Sequence, residues 1–290
     1  MSRQFPRTEV AGLSLPRMLI GTNWLFGWSH KSAASDHMIT SRYDSVASFL
    51  PMLDAYLEYG IDAIMGPLSD IPNMLDALKT VQDQLGRKLI IIDTPIINVD
   101  DSTAGRGEAF AAVKRSREIG AELCLIHHTS VEQLISKNKG VIDRLGDYTS
   151  MIRDAGLIPG LSAHMPEVVL YSDKNGYDVE TYIQLYNCMG FLMQVEIETV
   201  ASIISNASKP VMTIKPMAAG RCTPYVGLNF VWSTIRDRDM VTVGAHTPDE
   251  VHEDVEISFA AFDRRYPNLD GRSSPNNNQA VLNKYLKPPQ

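Results

Sequence analysis

Lys88-Leu-Ile-Ile-Ile-Asp93 and Glu122-Leu-Cys-Leu-Ile-His127 are apolar throughout their interiors, and each is closed by a polar residue. A strand with water on one face alternates apolar and polar side chains, whereas a strand covered on both faces need not. Both runs therefore read as parallel strands under helices. Working outward, comparable runs occupy Met18–Leu25, Ala63–Gly66, Leu157–Ser162, Tyr182–Tyr186, Val211–Lys215 and Met240–Gly244. Helical spacing fills Ser45–Tyr59, Ile71–Leu85, Arg106–Ile119 and Val141–Ala155, and Gly60, Gly86, Gly120 and Gly156 stand where left-handed C-caps belong. Repeated strand–helix units on this scale predict one (β/α)₈ TIM barrel over residues 1–265. An irregular C-terminal arm rich in Pro, Asn, Ser and Gly is expected over 266–290.

Two points of this reading stay open. Phe191–Glu196 competes with Tyr182–Tyr186 for the sixth strand. The former also fits the start of a helix carrying Leu192, Val195, Thr199, Ile203 and Ile204 on one side, so Tyr182–Tyr186 is preferred. A doubly wound dinucleotide-binding sheet is the competing fold. Gly21-Thr-Asn-Trp-Leu-Phe-Gly27 lacks the G-x-G-x-x-G spacing that such a sheet needs after its first strand.

With 44% hydrophobic residues among 290, the chain can bury a large core. A net charge of −7 argues against a nucleic-acid footprint, which needs a clustered basic face. No run of 18 apolar residues predicts a membrane span, and MSRQFPRTEV lacks the apolar stretch of a secretory leader. A cytoplasmic location follows, with a small molecule as partner and self-association left open. Cys124, Cys188 and Cys222 are odd in number and lack C-x-x-C spacing. They read as free thiols, Cys124 in the core.

The polar residues gather at strand ends. Asp93 closes strand three, His127 and His128 close strand four, His164 follows strand five, Lys215 closes strand seven and His246 follows strand eight. Barrel enzymes keep their reacting groups at that end. By alternation Asp93 goes with Ile91, His127 with Leu125, His164 with Ser162 and Lys215 with Thr213. If those parities face the lumen, the groups converge. Each residue alone also has an ordinary structural explanation: Asp93-Thr-Pro95 suits a turn, and a strand-end histidine is commonly a hydrogen-bonded structural group.

From strand four onward the chain resembles the aldo-keto reductase superfamily. The resemblance is carried by Leu123-Cys-Leu-Ile-His127, Gly160-Leu-Ser-Ala-His164, Tyr182-Ile-Gln-Leu-Tyr-Asn187, Lys215-Pro-Met-Ala-Ala-Gly220 and Val243-Gly-Ala-His-Thr-Pro-Asp-Glu250. It covers roughly 121–260, with weaker support at Leu19-Ile-Gly-Thr22. It implies NAD(P) as cofactor, with Ser162 and Gln184 on the nicotinamide amide, Gly220 and Gly244 in the cofactor loops, and His127 as the surviving member of the catalytic tetrad. The departures are as informative. Ile61-Asp-Ala-Ile-Met-Gly-Pro67 has no tyrosine donor following it, Asp93 stands near the expected lysine, and Ala245-His-Thr-Pro-Asp-Glu250 lacks a basic clamp for a 2′-phosphate.

Three functions remain in view. The first is a repurposed barrel in which a divalent metal (Zn, Mn or Fe) held by Asp93, His127 and His164 polarises an oxygen. Lys215 or His246 would then move a proton in isomerase, epimerase or lyase chemistry on a sugar-like compound. The metal is expected on charge grounds, since an unpaired buried carboxylate needs a cation, although Lys215 could pair with Asp93 instead. The second is a divergent nicotinamide-dependent reductase. The third is an inactive barrel that only binds. Trp24, Phe26 and Trp28 could wall a sugar site or simply pack, and Glu196 and Glu198 read as a solvated helix start.

Overall fold

The computed structural model describes residues 2–71 and 74–269. Eight parallel strands close into a barrel. They are β1 (Met18–Gly21), β2 (Ala63–Gly66), β3 (Ile90–Asp93), β4 (Leu123–Ile126), β5 (Ile158–Ala163), β6 (Thr181–Leu185), β7 (Val211–Ile214) and β8 (Met240–Val243). Closure is made by β8 on β1, with Val241, Thr242 and Val243 opposite Met18, Leu19 and Ile20. The expected strands are all present, and β6 falls on the preferred segment. The half of Met18–Leu25 beyond Gly21 is instead a helical turn, Asn23–Phe26. The part of the expected arm beyond residue 269 lies outside the described residues. Among the described residues no helix is long and apolar enough to cross a membrane.

The four glycines after helices adopt positive φ, from 61° at Gly86 to 81° at Gly120. Each turns the chain from a helix toward the next strand, which is why the units repeat so regularly.

Alternation sorts the strand side chains into two cores. Leu19, Met65, Ile92, Leu125, Ile183 and Met212 meet inside the barrel. Their neighbours Ile20, Ile64, Ile91, Cys124, Ile126 and Tyr182 face the helices. A hairpin of Arg7–Val10 and Leu13–Pro16, not anticipated from sequence, sends Val10 and Leu15 into the inner cluster. Its turn, Ala11-Gly12, is left-handed at both residues, as a two-residue hairpin demands.

Asp93 shares the outer parity of Ile91, so its side chain leaves the lumen. It lies fully buried between β3 and the helix Thr103–Glu118, where Ser116 Oγ donates to Oδ2 at 2.6 Å and Ser69 N–H donates to Oδ1 at 3.0 Å. Burial raises its pKa while these donors oppose the rise. Ser116→Ala would strand one carboxylate oxygen in the core. It should cost roughly 1–3 kcal/mol in urea unfolding, the usual penalty for an orphaned buried acceptor.

Candidate active site

A cavity of about 820 Å³ opens at the C-terminal ends of the strands. Its floor is the top of the lumen, with Met65, Ser162, Ile183 and Thr242. One wall is the β4–β5 end, carrying His127, His128 and His164, and the opposite wall is the loop Lys215–Pro224 after β7. The loop after β1 closes the third side with Trp24, Trp28, His30 and Lys31.

The three imidazoles form a column. The ring centroids of His127 and His128 are 4.2 Å apart, and those of His128 and His164 are 3.8 Å apart at 22°. Such stacking suits neutral rings and penalises charged ones. Burial, reinforced by the neighbouring rings and Lys215, lowers the His127 pKa to about 4 and that of His164 to about 3, and also lowers that of His128. Thr129 N–H donates to His127 Nδ1 at 3.3 Å, which assigns the proton of the neutral ring to Nε2. His127 thus offers a donor. Glu132 holds this wall in place by accepting from the backbone N–H groups of His164 and Met165 at 2.6 and 2.7 Å.

Lys215 reaches the cavity by an exception to alternation. Val211 faces the outer core, as does Tyr182 beside it, and Thr213 continues that parity, so a straight strand would send Lys215 outward too. Instead Lys215 adopts φ 60°, a left-handed conformation that costs a non-glycine residue of order 1 kcal/mol. Its Nζ lies 3.1 Å from Nε2 of His30, itself left-handed at φ 54°. Asn23 Nδ2 approaches the same nitrogen at 3.1 Å. An amide NH₂ can only donate, so His30 Nε2 is the acceptor between two donors and its ring is neutral. Burial, then the charge of Lys215, lowers the His30 pKa. Burial lowers that of Lys215 to about 8. Among the described residues no carboxylate pairs with Lys215, whose hydrogen-bond partner is the His30 imidazole.

The loop after β7 is left-handed again at Ala218, Ala219 and Gly220. A side chain on Gly220 would meet Lys31 Nζ at 3.1 Å, so glycine keeps this turn open for the lysine. A Cβ on Gly244 would lie 3.2 Å from Trp24, so that position makes room for the indole. Arg221 stacks its guanidinium on Phe191 at 3.8 Å. Cys188 and Cys222 Sγ lie 3.7 Å apart across the β6 and β7 loops, a proximity that their 34-residue separation hides in the sequence.

Of the residues singled out from sequence, Lys215, His127, His164, Ser162, Gly220 and Gly244 line the cavity. Three others do not. Asp93 is turned to the helices, so the expected ligand set of Asp93, His127 and His164 is not assembled; among the described residues no three His, Cys, Asp or Glu side chains are grouped to hold a metal ion. Gln184 has the outward parity of Tyr182 and Tyr186 and is buried behind β6. His246 packs edge-on against Trp24 and Tyr43, each at 5.8 Å, behind the cavity wall. His30, Lys31 and Arg221 were missed. Their one sequence signal is position, since each follows a strand end by several residues and belongs to a mouth loop.

No family model and no curated protein matches this chain. Many solved structures share its fold, among them two of candidate aldo-keto reductases from Pseudomonas aeruginosa. The first has a TM-score of 0.64 at 16% identity, covering 89% of this chain and 95% of the other. The second has 0.63 at 17%, covering 89% and 94%. In fold, this chain is aldo-keto-reductase-like. The match covers most of both chains, so the likeness in fold includes the first half of the barrel.

The imidazole column makes a pH prediction for this barrel. Unfolded, these rings take up protons near pH 6.5; folded, His127 and His164 do so only near 4 and 3. Between those values the unfolded chain holds more protons, so acidification favours unfolding. Their contribution is complete above pH 6.5 and is lost as the pH falls through about 4 for His127 and about 3 for His164. Melting temperature should therefore drop over this window, and His164→Asn should flatten the slope by up to about one proton.

Proposed function

We propose that this chain is an enzyme acting on the carbonyl or hydroxyl group of a small polar compound, as an aldo-keto-reductase-like oxidoreductase using NADH. The observation that carries the reading is the Lys215–His30 contact, 3.1 Å across a mouth cavity and facing a column of neutral imidazoles.

Carbonyl reduction needs a hydride and a proton, and the proton must reach an oxygen that is becoming an alkoxide. An ammonium whose pKa has fallen to about 8 is a stronger acid than an ordinary lysine and can make that transfer. His30 lies at the exposed rim and can return a proton to Lys215 from solvent. His127 Nε2–H stabilises the developing oxyanion from the other wall without carrying charge itself. Ser162, nearly buried on the floor, is placed to orient an amide or hydroxyl.

The lining suits the unphosphorylated dinucleotide. Lys31 and Arg221 supply cations for a diphosphate, and Glu250 and Glu253 line the cavity where a 2′-phosphate would be repelled. Asp249 and Glu250 make the first turn of the helix Pro248–Asp263 acidic, so its N-terminus is already balanced by carboxylates. Bound NADH would supply the hydride. The charge argument for a divalent metal loses its basis, because hydrogen bonds from Ser116 and Ser69 satisfy Asp93.

A second reading, proton transfer of the isomerase or lyase type without metal, is favoured by the same lowered Lys215 pKa and needs no dinucleotide. Tryptophan fluorescence titration separates the two, since Trp24 and Trp28 line the cavity. NADH should quench and bind well ahead of NADPH. Equal affinity for both would remove the electrostatic argument, and binding of neither would promote the second reading. With any small aldehyde or keto acid that proves to be reduced, Lys215→Met should lower kcat/KM by roughly 10²–10⁴ and leave NADH affinity unchanged.

A further inference from the structure

We infer that Lys215 is a nucleophilic amine that forms a Schiff base with small carbonyl compounds bearing a carboxylate or phosphate, an activity that needs no dinucleotide. Three observations of geometry carry this. First, the amine is in the cavity only because its backbone is held left-handed, so the fold spends conformational strain to put it there. Second, it is half-buried without an ion pair. Among the described residues the other buried or half-buried lysines and arginines, Arg17, Arg144, Arg153, Lys209 and Arg236, each meet a carboxylate. A desolvated ammonium without a counter-charge shifts toward the neutral amine, which is the nucleophilic form. Third, its partner is the lone pair of His30 Nε2, held as an acceptor by Asn23 at 3.1 Å. That nitrogen can take the proton the ammonium must lose.

The chemistry balances without any redox partner. Lys215 transfers one proton to His30, and the freed nitrogen pair forms the C–N bond while the carbonyl π pair moves to oxygen. His127 Nε2–H donates a hydrogen bond to that oxygen. The carbinolamine nitrogen gives up a second proton, the oxygen takes up protons through His30 and solvent, and water leaves as the C=N bond forms. The iminium is cationic, and the cavity's neutral imidazoles tolerate it. The acidic end of the ligand falls to Lys31 and Arg221, the two cations on the same rim. That requirement names the class: an α-keto acid, an aldehyde acid or a sugar phosphate in its open form.

Glyoxylate and pyruvate are suitable probes, with cyanoborohydride as trapping reductant and peptide mass spectrometry as readout. The neutral fraction of Lys215 near pH 7.5 predicts trapping on the order of 10² faster than at exposed lysines such as Lys88 and Lys114. His30→Asn, chosen because asparagine tolerates a left-handed backbone, should slow trapping at Lys215 by about 10-fold or more and leave the exposed lysines unaffected. A wild-type protein in which Lys215 is trapped no faster than Lys88 overturns the inference, whatever the variants do. Trapping at Lys215 that is equally fast with acetone and with pyruvate retains the amine and overturns the anionic class. NADH titration is an independent readout, so failure here and failure of the oxidoreductase reading are told apart.

Discussion

The inside of this barrel is full. Inward side chains from the strands meet one another, and Val10 and Leu15 of the N-terminal hairpin seal the far end. A packed lumen leaves little room for polar groups along the strands below Ser162 and Thr242, because a buried unpaired donor or charge costs more than the apolar contact it displaces. Chemistry can therefore be presented only where the strands stop. That single constraint explains the layout of the mouth. His127 and His164 each stand one residue beyond the last residue of their strand, and His30 and Arg221 ride on loops that lean back over the opening.

Alternation also decides which strand-end residues take part. Asp93 and Lys215 looked equivalent, each closing an apolar run. Asp93 is still in register with its strand and so follows Ile91 to the helix layer, where two donors meet it. Lys215 is one residue past its strand, and a left-handed φ swings it to the side that parity forbids. One residue of strand length and one backbone torsion separate a structural carboxylate from a reactive amine.

This shows how far the sequence could be read. The eight runs and the capping glycines were legible because burial on both faces and left-handed caps leave local signatures. His127, His164 and Ser162 line the cavity because alternation holds through those strand ends. Lys215 reached the cavity for a reason that its parity contradicted. Gln184 and Asp93 were misplaced because which parity faces inward is a property of barrel closure, and no single run reveals it. His30, Lys31 and Arg221 were invisible, since loops have no period. The thiols of Cys188 and Cys222 meet only because β6 and β7 are neighbours and their loops leave the barrel side by side.

The electrostatics of the mouth make one further point about what it can bind. Lysine and arginine side chains lie along the β1 and β7 loops, while Glu250, Glu253 and Asp254 line the side where the last helix begins. The imidazole column at the β4–β5 end faces both from across the mouth and is held neutral by burial. A ligand carrying its negative charge at one end and hydroxyl groups at the other would find cations on the β1 and β7 side of the mouth and neutral imidazoles on the β4–β5 side. Turned around, its anion would lie among the neutral rings, away from Lys31 and Arg221. In the proposed oxidoreductase such a field would favour the first orientation before any short contact forms, because the long-range attraction acts only at the cationic side.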